Sequence, residues 1–471
     1  MSAALGYIFL VVVVGAFLVA IVRPWLAFVL IVCFPVIEQA LQGYFPVMIT
    51  YLTLFNYLIA GIVAVSLLVR FASDPGMLSG ALNPVSKTIM LLLSLSWISL
   101  FWTPELENGL SLTVNRFQYT LLYMIMAPLL ITSLDDFRRL RLPLIALGCL
   151  ALVGILFGPK TLFYGTRLMI QYSTTEVANA NALGELGALI LVFAVLTTQA
   201  GVGRLVAPFQ AAAGIFGMGM GLLSGARGQV LAGGLIAFLF FPISRKVKNN
   251  YGYLGLGLGA AFVVLLFYIS VQFFITSDNL DRWSLYSLTD GFQLRFLIAS
   301  EALKPWLTSP LSWFFGRGAG AFITAGLVDT YPHNYIIEAL TEMGLVGLFL
   351  YMMILFFTIK SAIGLFNLYR DDSKMRSAVA LLCAVAVFFF LISLKQGTVH
   401  DPGTVFLWYL VIARVYWYER RQADLAAEEY DPDLDEELDP EESGEYDFDD
   451  AEDFDPDHDH DADDEADRSY A

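Results

Sequence analysis

The sequence predicts an all-α polytopic membrane protein of about 12–14 transmembrane helices, with one large extracytoplasmic loop and a disordered acidic C-terminal tail. Three observations carry this. Hydrophobic residues make up 57% of 471 residues, aromatic residues 14%, and the mean hydropathy is +0.66, far from an ordinary soluble domain. Apolar runs of 17 to 25 residues recur, and about 20 such residues cross a hydrocarbon core of roughly 30 Å. The net charge of −17 is concentrated at one end: from Asp424 onward there are 25 acidic residues and one basic one, which leaves the body at +7.

In chain order, the first run, Leu5–Val22, lacks the basic start and small-residue cleavage site of a signal peptide and is taken as a first span. Further spans are expected at about Trp25–Leu41, Phe45–Val69, Thr88–Phe101, Val114–Ile131, Leu142–Phe157, Asn181–Thr198, Leu205–Leu223, Val230–Ile243 and Tyr253–Ile275. A polar stretch of about 276–332 follows. Three more spans, Tyr335–Ile359, Ala378–Leu394 and Val405–Tyr418, bring the count to 13. Residues 1–423 therefore read as one transmembrane domain and 424–471 as the tail, whose composition cannot bury enough apolar surface to fold. Cys33, Cys149 and Cys383 lie inside apolar runs, with neither a disulfide framework nor metal spacing.

Basic residues supply sidedness. Arg23, Arg70 with Lys87, Arg138 to Arg141, Arg204, Arg245 to Lys248, and Lys360 to Arg376 fall on alternate connectors. The positive-inside rule assigns that face to the cytoplasm, with the tail, and puts the long loop outside. Arg116, Lys160, Arg167, Arg227, Arg282, Arg295, Lys304, Arg317 and Lys395 then sit on the disfavoured face. Singly, such residues snorkel to headgroups. Together, guanidinium groups facing one cavity would seat a pyrophosphate, because the planar fork grips phosphate oxygens in two places.

Arg227 stands in a glycine-flanked turn, LLSGARGQVLAGG, and Arg295 in TDGFQLRFLIASEALKPW, which reads as an amphipathic interfacial helix. His333 follows Pro332 and precedes Asn334, a good N-cap, so it should stand at the positive end of a long transmembrane helix. There it suits an anion and stays neutral enough to accept a proton; the bland alternative is a simple helix-end histidine. Glu338 and Glu342 share one helix face, and Glu342 lies half a turn of the helix away from His333. These acids and Glu185 should face protein or water, since a charge at the bilayer centre costs roughly 2.5–3.5 kcal/mol. The glycine-rich GRGAGAF at 316–322 lacks the Lys-Ser/Thr of a P-loop and reads as a tight loop. There is no zinc spacing, no serine-hydrolase motif and no nucleic-acid motif.

Three segments taken together resemble the O-antigen ligase and O-antigen polymerase superfamily. Gly318-x-Gly320 followed by PHNYIIEALTEMGLVGL is similar to its signature. SGARGQVLAGGL resembles its Ser-x-Ser-Arg-Gly turn, with Ala226 where a serine is usual, and NANALGELGALIL its Asn-x-Asn segment. The likeness covers about residues 179–350, and the acidic tail is not part of it. It implies a GT-C type membrane glycosyltransferase without metal or other cofactor. Such an enzyme moves a glycan from an undecaprenyl-pyrophosphate donor to a glycan or lipid acceptor hydroxyl at the periplasmic face of the bacterial inner membrane. Arg227 and Arg295 would then bind pyrophosphate, His333 would act as base or anchor, and Asn334 and Glu342 would support that corner. The tail would be open to a partner. The rival readings are a transporter or flippase of lipid-linked glycans, and a scaffold acting through its tail.

Overall fold

The structure is a computed structural model that describes residues 2–164, 167–172, 177–197, 205–245, 257, 285–324, 333–400 and 405–429. Residues Met1–Gln422 form one compact unit. The expected span Tyr253–Ile275, both ends of the 276–332 loop and the tail beyond Glu429 lie outside the described residues.

The protein is a bundle of apolar helices: α1 Ser2–Val22, α2 Pro24–Tyr44, α3 Leu52–Ser73, α4 Pro84–Ile98, α5 Leu134–Leu156, α6 Ala180–Leu196, α7 Val206–Leu223, α8 Arg227–Arg245, α9 Leu285–Trp306, α10 Pro310–Phe315, α11 Tyr335–Leu368, α12 Ser373–Ser393 and α13 Val405–Glu429. Among the described residues, nine helices are long and apolar enough to cross a membrane. Helix α6, with 17 residues, is an apolar helix just short of that length. The α2 and α12 windows are 67% and 72% buried against 28% for α1, so α2 and α12 are central and α1 peripheral. Trp408 of α13 anchors this centre, stacked on Phe389 at 5.8 Å and edge-on to Phe28 at 5.4 Å.

Several expectations are corrected. The chain is not purely helical: β1 Thr161–Tyr164 and β2 Arg167–Ile170 pair antiparallel, Thr161 opposite Ile170 and Tyr164 opposite Arg167. The run Val114–Ile131 is not one straight span but a short helix, Phe117–Thr120, a π-helical stretch, Leu121–Met126, and Ala127–Leu129. A π stretch of this kind marks a locally perturbed helix and is frequent at functional sites. Helix α5 begins eight residues before the expected Leu142. Ser133 caps it by accepting from the Asp136 amide, and Asp135 and Asp136 favour the positive first turn. Arg227 does not lie in a bare turn but opens α8, after Gly225 at φ 66°.

One end of the bundle is tied by an ion pair and by hydrogen bonds of charged side chains. Arg70 meets Asp136 at 2.7 Å and donates to the Leu130 carbonyl at 3.0 Å. Glu419 accepts from the Leu134 amide and from Tyr369. Buried Arg414 donates to the carbonyls of Met77 and Ile131. The other end carries the starts of α6, α8 and α11 and the end of α12.

The decisive departure is in α11, expected as an unbroken helix from Tyr335. Gly344, at φ 68° and ψ −164°, breaks it and leaves 335–343 as a half-helix. The break frees carbonyls, and the 316–318 loop takes them: Arg317 N–H donates to Thr341 O at 2.9 Å and Gly318 N–H to Glu342 O at 2.8 Å. Bare backbone is needed on both sides. A Cβ on Gly344 would lie 2.3 Å from the Phe314 carbonyl, and one on Gly316, 2.2 Å from that of Glu342. Gly344→Ala should therefore destabilise the purified protein by about 1–3 kcal/mol or more, since that backbone region is essentially glycine's alone. Thermal unfolding in detergent checks it; an unshifted midpoint would show that the break is not required.

Candidate functional site

The half-helix begins at a hook. Asn334 Oδ1 accepts from the amides of Ile336 and Ile337 at 3.0 and 3.2 Å, while its Nδ2 donates to the Leu394 carbonyl at 3.1 Å. One side chain thus caps α11 and ties it to the connector after α12. Immediately before it, His333 has φ 54°, the one positive value at a non-glycine among the described residues. Such a conformation is disfavoured for a residue with a Cβ and is held here by its surroundings.

The connector and α8 meet at the same place. Lys395 Nζ donates to Gln229 Oε1 at 2.9 Å, and Gln229 Nε2 donates to Gln396 Oε1 at 2.6 Å. The Lys395 chain lies against Gly228, where a Cβ would stand 2.4 Å from Nζ. Helix α6 supports α8 through another bare position: a Cβ on Gly184 would come 2.2 Å from that of Ala226. A larger residue in that half of α6 would push Arg227 outward.

Electrostatically these groups form a chain of like charges. Burial lowers the His333 pKa below its ordinary value, and the charges of Arg295 and Lys395 lower it further. Partial desolvation and then the Arg227 guanidinium act in the same direction on Arg295 and on Arg167 of the hairpin. Arg167, Arg227, Arg295, Lys395 and His333 therefore share one field. Crowded cations of this kind are stabilised by an anion with several oxygens, and the neutral imidazole among them can accept a proton. Arg295 reaches the cluster from α9, whose Leu294, Phe296 and Leu297 are all exposed.

Behind the half-helix lies a buried clasp. Glu342 Oε2 and His400 Nε2 are 2.7 Å apart, and His400 Nδ1 is 3.1 Å from Ser96 Oγ of α4. Glu338 accepts from the Val399 amide at 2.8 Å and from the Thr398 hydroxyl. Burial pushes the His400 pKa down, but the hydrogen bond and charge of Glu342, with that of Glu338, outweigh it and leave the imidazole raised above its ordinary value. Glu338, Glu342 and His400 bring one donor atom each within 4.8 Å of one another, a spacing a cation could use. Their bonds run to one another and to Ser96, Thr398 and Val399, so the group already works as a clasp that fixes residues 394–400 against the half-helix.

His333 also borders a cavity of about 540 Å³ between α2, the 116–123 segment, the start of α6 and the α12–α13 corner. Arg116, Tyr119, Asn179, Asn181 and Glu185 line it.

Of the residues chosen from the sequence, Arg227 acts electrostatically on Arg295 and Arg295 on His333, although 106 positions separate Arg227 from His333. Asn334 is the cap and the hook. Glu342 is turned away from His333 toward His400. Sequence reasoning passed over Lys395, Arg167 and His400. Lys395 and Arg167 already stood out as basic residues on the unfavoured face, and His400 as a histidine in a very short connector. No protein-family model and no curated protein matches the chain.

The electrostatic coupling gives a direct check. Replacing Lys395 by Gln removes a cation that disfavours imidazolium, so the His333 pKa should rise toward its ordinary value. Acylation of the neutral imidazole by diethyl pyrocarbonate, followed on the His333 peptide by mass spectrometry, should then show a midpoint at higher pH. Equal midpoints in the two proteins would separate Lys395 from His333.

Proposed function

We propose that this protein is a membrane glycosyltransferase that moves a glycan from an undecaprenyl-pyrophosphate donor to an acceptor hydroxyl, as an O-antigen ligase-like enzyme or a repeat-unit polymerase. One observation supports it most: His333 feels the charges of Arg295 and Lys395 and also borders a cavity lined by both polar and apolar side chains. The resemblance in sequence covers the Arg227 turn, the Gly-x-Gly loop and the His-Asn cap.

In this reading the donor's pyrophosphate rests among Arg227, Arg295 and Lys395, with its polyprenyl chain in the bilayer. The acceptor oxygen attacks the anomeric carbon. The carbon–oxygen bond to pyrophosphate breaks, and the electron pair leaves with the lipid pyrophosphate. The cations offset the charge that develops there, and that stabilisation is greatest in the transition state. The acceptor's proton passes to His333, whose pKa burial and then Arg295 and Lys395 lower, favouring the neutral imidazole. Transfer at the periplasmic face of the inner membrane, with the tail in the cytoplasm, follows from the distribution of basic residues.

If the arginines grip pyrophosphate bidentately, Arg227→Lys should fail almost as badly as Arg227→Ala, with roughly ten- to a hundredfold lost from donor affinity. His333→Ala should lower turnover about 10²–10⁴-fold while donor binding survives. Both are read from transfer and donor binding in membranes at matched protein levels. Wild-type transfer by all three variants would take Arg227 and His333 out of the site.

A further inference from the structure

Resting on that reading, we infer that the 540 Å³ cavity beside His333 is a separate carbohydrate subsite that holds the acceptor sugar while the cation cluster holds the donor. Faces of α2, α6 and the 116–123 segment build it, together with Phe389 and Ile392 of α12 and Leu407 and Trp408 of α13. Asn181 and Glu185, one turn apart on α6, are half-buried and face it, and Arg116 and Tyr119 face it from the segment that leads into the π-helical stretch. Ile31 and Pro35 of α2 form an apolar wall.

The chemistry favours a sugar over a lipid tail or a second phosphate. An acyl or prenyl chain would offer the Asn181 amide and the Arg116 guanidinium no hydrogen bond, a cost for each. A phosphate would be repelled by Glu185. A polyhydroxylated ring both donates and accepts, and so satisfies amides, carboxylates and phenols at once, while its apolar face suits the α2 wall. A cavity of this size falls within the roughly 300–1,000 Å³ of small-molecule sites. Glu38, one turn beyond Pro35 on the same side of α2, has its Oε1 enclosed without a hydrogen-bond partner among the described residues, and it acts electrostatically on Tyr119. A hydroxyl reaching past Tyr119 would satisfy it. His333 is common to the cavity and the cation cluster, so an acceptor hydroxyl in the one can face an anomeric carbon held at the other.

The two halves can be probed separately in nanodiscs. Lipid-linked glycan is extracted from membranes of the organism that encodes the chain, and mild acid releases its free oligosaccharide, which carries hydroxyls but no pyrophosphate. Inorganic pyrophosphate serves as the second probe. Asn181→Ala and the milder Tyr119→Phe should weaken oligosaccharide binding by roughly tenfold or more and leave pyrophosphate binding unchanged. Arg227→Lys should do the reverse. Oligosaccharide binding unaltered in both cavity variants, at wild-type thermal stability, would overturn the subsite while leaving the donor cluster standing. Wild-type protein that binds neither probe and transfers nothing would overturn the glycosyltransferase reading and the subsite with it.

Discussion

The site depends on one exchange of hydrogen bonds. A helix broken inside a membrane protein leaves carbonyls that must find other donors, because hydrocarbon offers none. At Gly344 the amides of Arg317 and Gly318 fill that need. The result is a half-helix whose depth and tilt are set by a loop 26 residues upstream in sequence. Asn334 and the Glu338 and Glu342 contacts then lock its other sides to residues 394–400. His333, at the head of this piece, inherits its position from all of them.

This explains why the acidic residues of α11 can be buried. Glu338 is 1% exposed and Glu342 2%, in a segment whose neighbours are almost all apolar. An unpaired carboxylate there would be very costly, and breaking one member of a buried pair costs about 3–5 kcal/mol. The cost is met locally by an amide, a hydroxyl and an imidazole, all from the three consecutive residues Thr398, Val399 and His400. The clasp thus makes residues 394–400 one of the most constrained segments between helices among the described residues.

Much of the architecture was legible in the sequence because hydropathy and bilayer thickness leave few solutions. The helix boundaries near Val22, Leu223 and Leu156 follow from apolar runs alone. The Asn334 cap was also visible, since Pro-His-Asn before an apolar run is a strong helix-start signal. The break at Gly344 was not, because one glycine in a run of long apolar residues resembles the tolerated glycines elsewhere in the chain, and its conformation is imposed by Phe314 and Gly316, distant in sequence. His400 was missed for a similar reason: its meaning comes from Glu342 and Ser96, which no local pattern joins to it. Lys395 was visible as a charge out of place, but its closeness to His333 arises only when Asn334 hooks Leu394.

The broken helix has a consequence for depth. Of the 34 residues in α11, 24 follow Gly344; at about 1.5 Å per residue they make roughly 36 Å, enough to cross the hydrocarbon core unaided. The nine-residue half-helix is therefore surplus to the crossing. The bilayer does not fix the height of the histidine; a protein scaffold does, whatever the thickness of the membrane below.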